Sequence, residues 1–218
     1  MINFQLLLKQ YWGYDSFRGI QQEIIESICS GKDTLGLMPT GGGKSLTFQV
    51  PALSMPGICI VITPLISLMK DQVDHLRQKG IKAYAIYSGM TREEIITILE
   101  NCIFGNVKLL YVSPERLSSE LFQTKVKKMK VSFITVDEAH CISQWGYDFR
   151  PSYLEIAKIR ELLNTQHAIP DRQPLDLTTP FLNREFLEQR EQSDALHQLC
   201  RVGTRITKGK GWGGSPPR

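Results

Sequence analysis

The chain has 218 residues, 42% of them hydrophobic and 22% charged, enough apolar material for one sizeable core and too much for a disordered chain. No stretch approaches the roughly 18 uninterrupted apolar residues of a membrane span, and the opening MINFQLLLKQYW has neither a basic n-region nor a small-residue cleavage site. No membrane association is therefore expected, and a cytoplasmic location is. A net charge of +4 permits an anionic partner without establishing one. The five cysteines are odd in number and widely spaced, so buried thiols are expected rather than a disulfide framework or a C-x-x-C zinc site.

In chain order, short apolar runs read as buried strands at Thr34 to Met38, Ile58 to Thr63, Ala83 to Tyr87, Lys108 to Val112 and Val131 to Val136. Amphipathic stretches between them read as helices: Arg18 to Cys29, Lys44 to Ser54, Ile66 to Lys79 and Thr91 to Phe104. Thr91 followed by Glu94 is a capping box. Strand and helix in alternation imply a parallel α/β sheet with right-handed crossovers and helices on both faces. A ligand then belongs at the carboxyl ends of the strands.

Beyond Leu163 the pattern changes. Five of the eleven prolines fall in residues 164–218, and the apolar strand runs stop. The closing RVGTRITKGKGWGGSPPR holds five basic residues, five glycines and no acidic residue, a composition expected to remain a largely disordered basic tail. Only Arg184 to Cys200 keeps a helical period.

Directly after the run ending at Met38 stands Pro39-Thr40-Gly41-Gly42-Gly43-Lys44-Ser45, followed by a helical period. Glycines let the backbone turn its N–H groups around a phosphate, a lysine in Lys44's place reaches the β and γ phosphates, and the Ser45 hydroxyl ligates Mg²⁺. Met38 occupies the position of the first glycine in the strict G-x-x-x-x-G-K-[ST] pattern. A second acidic site follows the run Val131 to Val136, where Asp137-Glu138-Ala139-His140 places carboxylates at the carboxyl end of a buried strand. Asp137 suits the Mg²⁺ that bridges phosphate oxygens, and Glu138 suits the attacking water.

These segments, together with Gly13-Tyr14-Asp15-Ser16-Phe17-Arg18 and Gln21, the run TPLISLMKDQV from Thr63, SPERL from Ser113, and DEAHCISQWGYDFRPSY from Asp137 to Tyr153, resemble the RecQ family of superfamily 2 DNA helicases. The resemblance covers residues 3–163 and implies an α/β P-loop NTPase (RecA-like) lobe that binds ATP and Mg²⁺, with Lys44, Asp137, Glu138 and His140 in the catalytic set. It implies that Tyr14 stacks on adenine, that Gln21 hydrogen-bonds the edge of the base and that Arg18 assists. Taken alone, Tyr14 and Phe17 serve equally well as core aromatics.

The resemblance also implies that Ser67, Lys70 and Arg116 line a DNA path, contacting phosphates rather than reading bases; each taken singly reads equally as a solvated surface residue. Trp145, Phe149 and Arg150 are crowded with Tyr147 into one polar-interrupted stretch, as a single-stranded nucleic-acid platform requires, where stacking contributes about 1 to 3 kcal/mol per base. The implied partner is single-stranded or partly duplex DNA, unwound in the 3′ to 5′ direction.

The family pattern continues past Leu163 into a Thr-Ala-Thr strand, a second RecA-like lobe and its arginine finger. Here the chain reads NTQHAIPDRQPLDLTTPF instead. An incomplete sheet is expected, with residues from about 164 onward not family sequence, the product of a frameshift, a truncation or a faulty gene boundary. The expectation is a motor-lobe fragment that turns ATP over slowly alone, its second lobe coming from another chain, and that sits on the nucleoid if bacterial. An ATP- and DNA-binding module without helicase activity, or a non-functional truncated product, is the competing expectation.

Overall fold

The structure, a computed structural model, describes residues 3–39, 41–142, 150–164 and 201–205, with residues 140, 142, 164 and 201–205 described by backbone alone. Strands β1 (Ile58–Ile62), β2 (Ala83–Ile86), β3 (Leu109–Val112) and β4 (Val131–Val136) run parallel in the order β2-β3-β1-β4. A fifth, β5 (Arg201–Arg205), adds antiparallel to β4, pairing Phe133 with Arg205 and Val136 with Arg201. The helices are α1 (Phe4–Trp12), α2 (Gln21–Cys29), α3 (Leu46–Ser54), α4 (Ile66–Gln78), α5 (Arg92–Phe104), α6 (Glu120–Val126) and α7 (Glu155–Asn164).

Side-chain alternation along the parallel strands divides the core in two. Ile60, Ile62, Leu110, Val112, Ile134 and Val136 face one side, against Leu99 of α5, Phe122 of α6 and Ile159 of α7. Cys59, Val61, Leu109, Tyr111 and Phe133 face the other, against Ile28 of α2, Phe48 of α3 and Met69 of α4. Both faces are covered, which is why these strands read as continuous apolar runs. Burial pushes the Cys59 and Cys102 thiols up to about 12, leaving them inert packing groups.

Local chemistry agrees with the global arrangement. Asn3 caps α1 by accepting from the Gln5 and Leu6 N–H groups, and Gly13 closes that helix at φ 75. The capping box of α5 forms as its sequence implies: the Thr91 hydroxyl accepts from the Glu94 N–H, and the Thr91 N–H donates to Glu94 Oε2.

Two sequence expectations need correction. Thr34 to Met38, expected as a strand, joins no ladder; the segment alternates Leu35 and Leu37 outward with Gly36 and Met38 inward. An extended run becomes a strand only beside a partner, and the open edge of β4 is taken by β5. The second concerns that strand itself: residues 201–205 fall in the stretch expected to be disordered, yet they satisfy the β4 edge and lie against α2 and α3. The helical period at 184–200 lies outside the described residues.

Without a ladder, the segment leading to the glycine loop is fastened by side chains. Ser27 and Thr34 hydroxyls share a hydrogen bond of 2.8 Å, and Arg160 of α7 donates from Nη2 to Asp33 Oδ2 at 2.9 Å. The Arg160 side chain is only 8% exposed, so this is a largely desolvated pair, and Arg160 Nη1 and Asp33 Oδ1 are buried with no hydrogen-bond partner among the described residues. Removing one member of such a pair strands the other. Arg160→Ala is expected to lower unfolding free energy by about 3 kcal/mol in urea titrations, with Arg160→Met plus Asp33→Asn recovering much of the loss. Equal loss in the single and double variants would contradict this account.

Candidate nucleotide and nucleic-acid site

Register fixes the site. Ile62 pairs with both Val112 and Val136, and Ile86 pairs with Val112. The ladder then runs one step further: the Ser113 N–H donates to Ile86 O at 2.9 Å, the Thr63 N–H to Val112 O at 3.3 Å and the Asp137 N–H to Ile62 O at 2.8 Å. Tyr87, Ser113, Thr63 and Asp137 therefore stand in a row across the carboxyl edge of the sheet, at roughly 4.8 Å per strand.

At one end of this row lies the acidic pair. Thr63 is buried, and its Oγ1 donates to Asp137 Oδ2 at 3.4 Å, while Asp137 Oδ1 accepts the Glu138 N–H at 3.1 Å. The Tyr153 hydroxyl donates to the Asp137 carbonyl at 3.0 Å. Burial, foremost, raises the Tyr153 hydroxyl far above its ordinary range, so it remains a donor. Glu138 has φ 52, the one non-glycine positive φ among the described residues. A β-carbon in that region is strained, and such strain concentrates at functional sites. The following short 3₁₀ turn, Ala139–Ile142, contains the backbone of His140.

The glycine loop enters α3. Gly41 and Gly43 adopt φ 75 and 73, conformations open to glycine at little cost. Gly42 is closed to any side chain for another reason: a β-carbon there would meet Pro39 O at 2.9 Å. Gln21 holds the loop from below. It is 2% exposed, and its Nε2 donates to Gly42 O at 3.0 Å and Gly43 O at 3.2 Å, while its Oε1 accepts the Arg18 N–H at 2.9 Å. As arranged here, Gln21 ties the start of α2 to the loop, and hydrogen-bonding a base would require exchanging these bonds. Tyr14 is 49% exposed, with the Arg18 guanidinium 5.7 Å from its ring centroid, so its ring is available for stacking.

Behind the loop, Gln49 of α3 is buried and donates from Nε2 to Gln72 Oε1 of α4 at 2.9 Å and to the Tyr111 hydroxyl at 3.1 Å. The helix that begins at Ser45 is thereby linked to the helix that carries Ser67 and Lys70. Ser67 and Lys70 are exposed on α4. Lys70 Nζ lies 4.8 Å from the Tyr87 ring centroid, and Arg116 Nε donates to Tyr87 O at 3.2 Å. Arg150 Nη1 stands 3.9 Å from Glu115 Oε1. The structure thus gathers Lys70, Arg116 and Arg150 around the ends of β2 and β3. Thr40, Trp145 and Phe149 lie outside the described residues.

No role was legible for Tyr87, Gln49 or Tyr153, and Thr63 entered only as the start of the TPLISLMKDQV run. A simple signal marked the residues at the strand ends: Thr63 and Tyr87 are the last residues of predicted strand runs, and Asp137 is the first residue past one. Gln49 and Tyr153 carried none, because their partners are 62 and 16 positions away.

A glycine loop opening a helix, with carboxylates at the carboxyl end of a buried parallel strand, defines a P-loop nucleotide-binding lobe of the RecA-like kind. The DEAD/DEAH box helicase family model matches residues 18–175, and the chain belongs to that family. It is 49% identical over 154 residues to the ATP-dependent DNA helicase RecQ of Haemophilus influenzae, covering 71% of this chain and 25% of that protein. It is 46% identical over 164 residues to the probable ATP-dependent DNA helicase RecS of Bacillus subtilis, covering 75% and 33%. The chain thus spans about a quarter to a third of the length of these relatives. Among solved structures, the DUF1998 helicase MrfA bound to DNA and AMPPNP superposes with a TM-score of 0.64 at 18% identity, over 77% of this chain and 24% of that one. A hypothetical ATP-dependent RNA helicase from Sulfolobus tokodaii gives 0.57 at 20% identity, over 77% and 48%. Both are likenesses of fold.

Gly43→Ala should be severe, since the new methyl would meet Gln21 Nε2 at 2.5 Å in a left-handed backbone. Fluorescent-nucleotide titration is expected to show at least about a tenfold loss of affinity, about 1.4 kcal/mol. Wild-type affinity in a folded Gly43→Ala chain would refute the cradle.

Proposed function

We propose that residues 3–163 form the first motor lobe of a RecQ-like, ATP-dependent 3′ to 5′ DNA helicase, binding ATP with Mg²⁺ and single-stranded or partly duplex DNA. The observation that carries this reading is the carboxyl edge itself: one row of strand ends holds the acidic pair at Asp137 and the cations around Tyr87. Three gaps of one strand each separate them, roughly 14 Å, within reach of one nucleotide and one strand bound side by side.

In this reading the loop N–H groups and Lys44 take the phosphates, and the positive end of α3 adds to their hold. Ser45 and Asp137 are an all-oxygen donor set, which suits a hard cation, and no group of three or more His, Cys, Asp or Glu side chains able to hold a metal occurs among the described residues. One protein carboxylate and one hydroxyl, with the rest of the shell left to phosphates and water, is the usual provision for Mg²⁺. That ion, when bound, neutralises charge on the β and γ oxygens. Glu138, turned by its left-handed backbone, orients and polarises the attacking water, with His140 beside it in the chain. Tyr14 offers its ring to the base, and Arg18 and Gln21 frame it.

On the nucleic-acid side, Ser67, Lys70, Arg116 and Arg150 meet phosphates, and Trp145 and Phe149 supply stacking. Phosphoryl transfer at full rate requires an arginine brought to the γ-phosphate, worth about 10³ to 10⁵ in rate; we assign that arginine to a second lobe, contributed by another chain. A DNA substrate fits the expected cytoplasmic location, at the nucleoid if the source is a bacterium.

ATP hydrolysis by the purified chain, with and without single-stranded DNA, tests this reading. DNA-stimulated turnover is expected, slow, and reduced to background in Glu138→Gln. Lys44→Ala is expected to abolish nucleotide binding, and turnover that survives both substitutions would overturn the assignment. Trp145→Ala is expected to weaken single-stranded DNA binding by about 1 to 3 kcal/mol while sparing ATP.

A further inference from the structure

We propose that Tyr87 is a positioning residue for the nucleic-acid face, a fixed pedestal whose ring holds the Lys70 ammonium beside Arg116. The inference rests on the DNA-binding reading above and adds to it a residue that acts through Lys70 rather than on a phosphate itself.

Tyr87 is the first residue past β2, and four contacts immobilise it. Its N–H donates to Met90 Sδ at 3.4 Å across a turn closed by Gly89 at φ 98. Its carbonyl accepts Arg116 Nε at 3.2 Å. Its ring packs against the core cluster of Met69, Val73 and Tyr111. The ring also carries Lys70 Nζ at 4.8 Å from its centroid. Tyr87 is half-buried, packed against the core and with a cation over its ring, so its contribution to the nucleic-acid face passes through Lys70.

The physical need for a pedestal is specific. Lys70 is exposed on α4, and a free lysine ammonium is a hydrated point charge on a flexible stem that loses rotamer freedom whenever it is fixed on a phosphate. Attraction to a ring quadrupole biases it toward one position before the ligand arrives. Arg116 needs no such help, because the backbone carbonyl of Tyr87 already orients its Nε. One residue therefore sets two cations by two means, a side-chain face for the lysine and a main-chain oxygen for the arginine. Only the first is open to substitution.

Two measurements on the full chain test this. After reductive ¹³C-methylation, which keeps the lysine charge, the Lys70 methyl resonance, assigned with Lys70→Arg, is expected to be shifted upfield by the ring. That shift should persist in Tyr87→Phe and vanish in Tyr87→Leu. Fluorescence anisotropy with an oligo(dT) strand should show Tyr87→Leu binding about two- to five-fold more weakly, the worth of an exposed cation–π contact, with Tyr87→Phe matching the parent. In a Lys70→Met background Tyr87→Leu should have no further effect. Nucleotide affinity serves as the check that each variant is folded, and the methyl shift of the unsubstituted chain needs no variant at position 87. An unshifted Lys70 resonance, a Tyr87→Leu chain that binds DNA normally, or a Tyr87→Leu effect that persists without Lys70 would each overturn the proposal while the parent chain still binds DNA. Failure of the parent chain to bind oligo(dT) at all would instead bring down the DNA reading, and this proposal with it.

Discussion

The parallel ladder β2-β3-β1-β4 is the constraint on which everything else in this molecule depends. Parallel pairing forces every strand to end on the same side, and the shared register of Ile86, Val112, Ile62 and Val136 brings those ends level. A slip of one residue in any strand would turn its buried set toward the wrong helix layer. It would also move Asp137 or Tyr87 off the row. Core packing and site geometry are thus set by the same hydrogen bonds.

The two faces of the sheet divide the labour. The layer of α1 to α4 contains the glycine loop's helix and the helix bearing Lys70, joined by the buried amide of Gln49 and the half-buried amide of Gln72. The layer of α5 to α7 backs the acidic pair, with Tyr153 reaching the Asp137 carbonyl. Between the layers runs Arg160 to Asp33, a desolvated pair that fixes where the unpaired segment before the loop begins. Buried polar contacts of this sort add little net stability and chiefly select one arrangement, because any alternative leaves charged or amide groups unmatched.

How much of this was legible in the sequence follows from range. The four parallel strands and the helices between them were readable because their signals are local: continuous apolar runs, the Thr91 and Glu94 cap, and glycines at the loop. The fold class and the position of the candidate nucleotide site followed from the same runs and from motifs of a few contiguous residues. Thr34 to Met38 read as a strand since its composition is strand-like; no local signal reports whether a neighbour is present to pair with it. The antiparallel β5 was illegible for the converse reason, since RVGTR lacks an apolar run and owes its conformation to the open edge of β4. The Gln21 contacts to the loop carbonyls also lay beyond reach, joining residues 21 and 22 positions apart through a side chain whose motif suggested another partner.

That last arrangement bears on how the site balances its energy. The Gln21 amide donates to Gly42 O and Gly43 O and accepts from the Arg18 N–H, so the glycine loop is held at two carbonyls, and the Gly42 N–H closes its turn by donating to Pro39 O. Pinning these groups orders the peptide units of the loop, so less ordering would remain for a ligand that the loop takes up. The strained backbone at Glu138 works in the same sense at the other end, holding a carboxylate in a conformation that the surrounding Thr63, Tyr153 and Ile62 contacts to Asp137 over-determine. Both halves of the candidate site are therefore set by the fold, one by hydrogen bonds and one by strain, and the packing of a doubly covered parallel sheet is what sustains them.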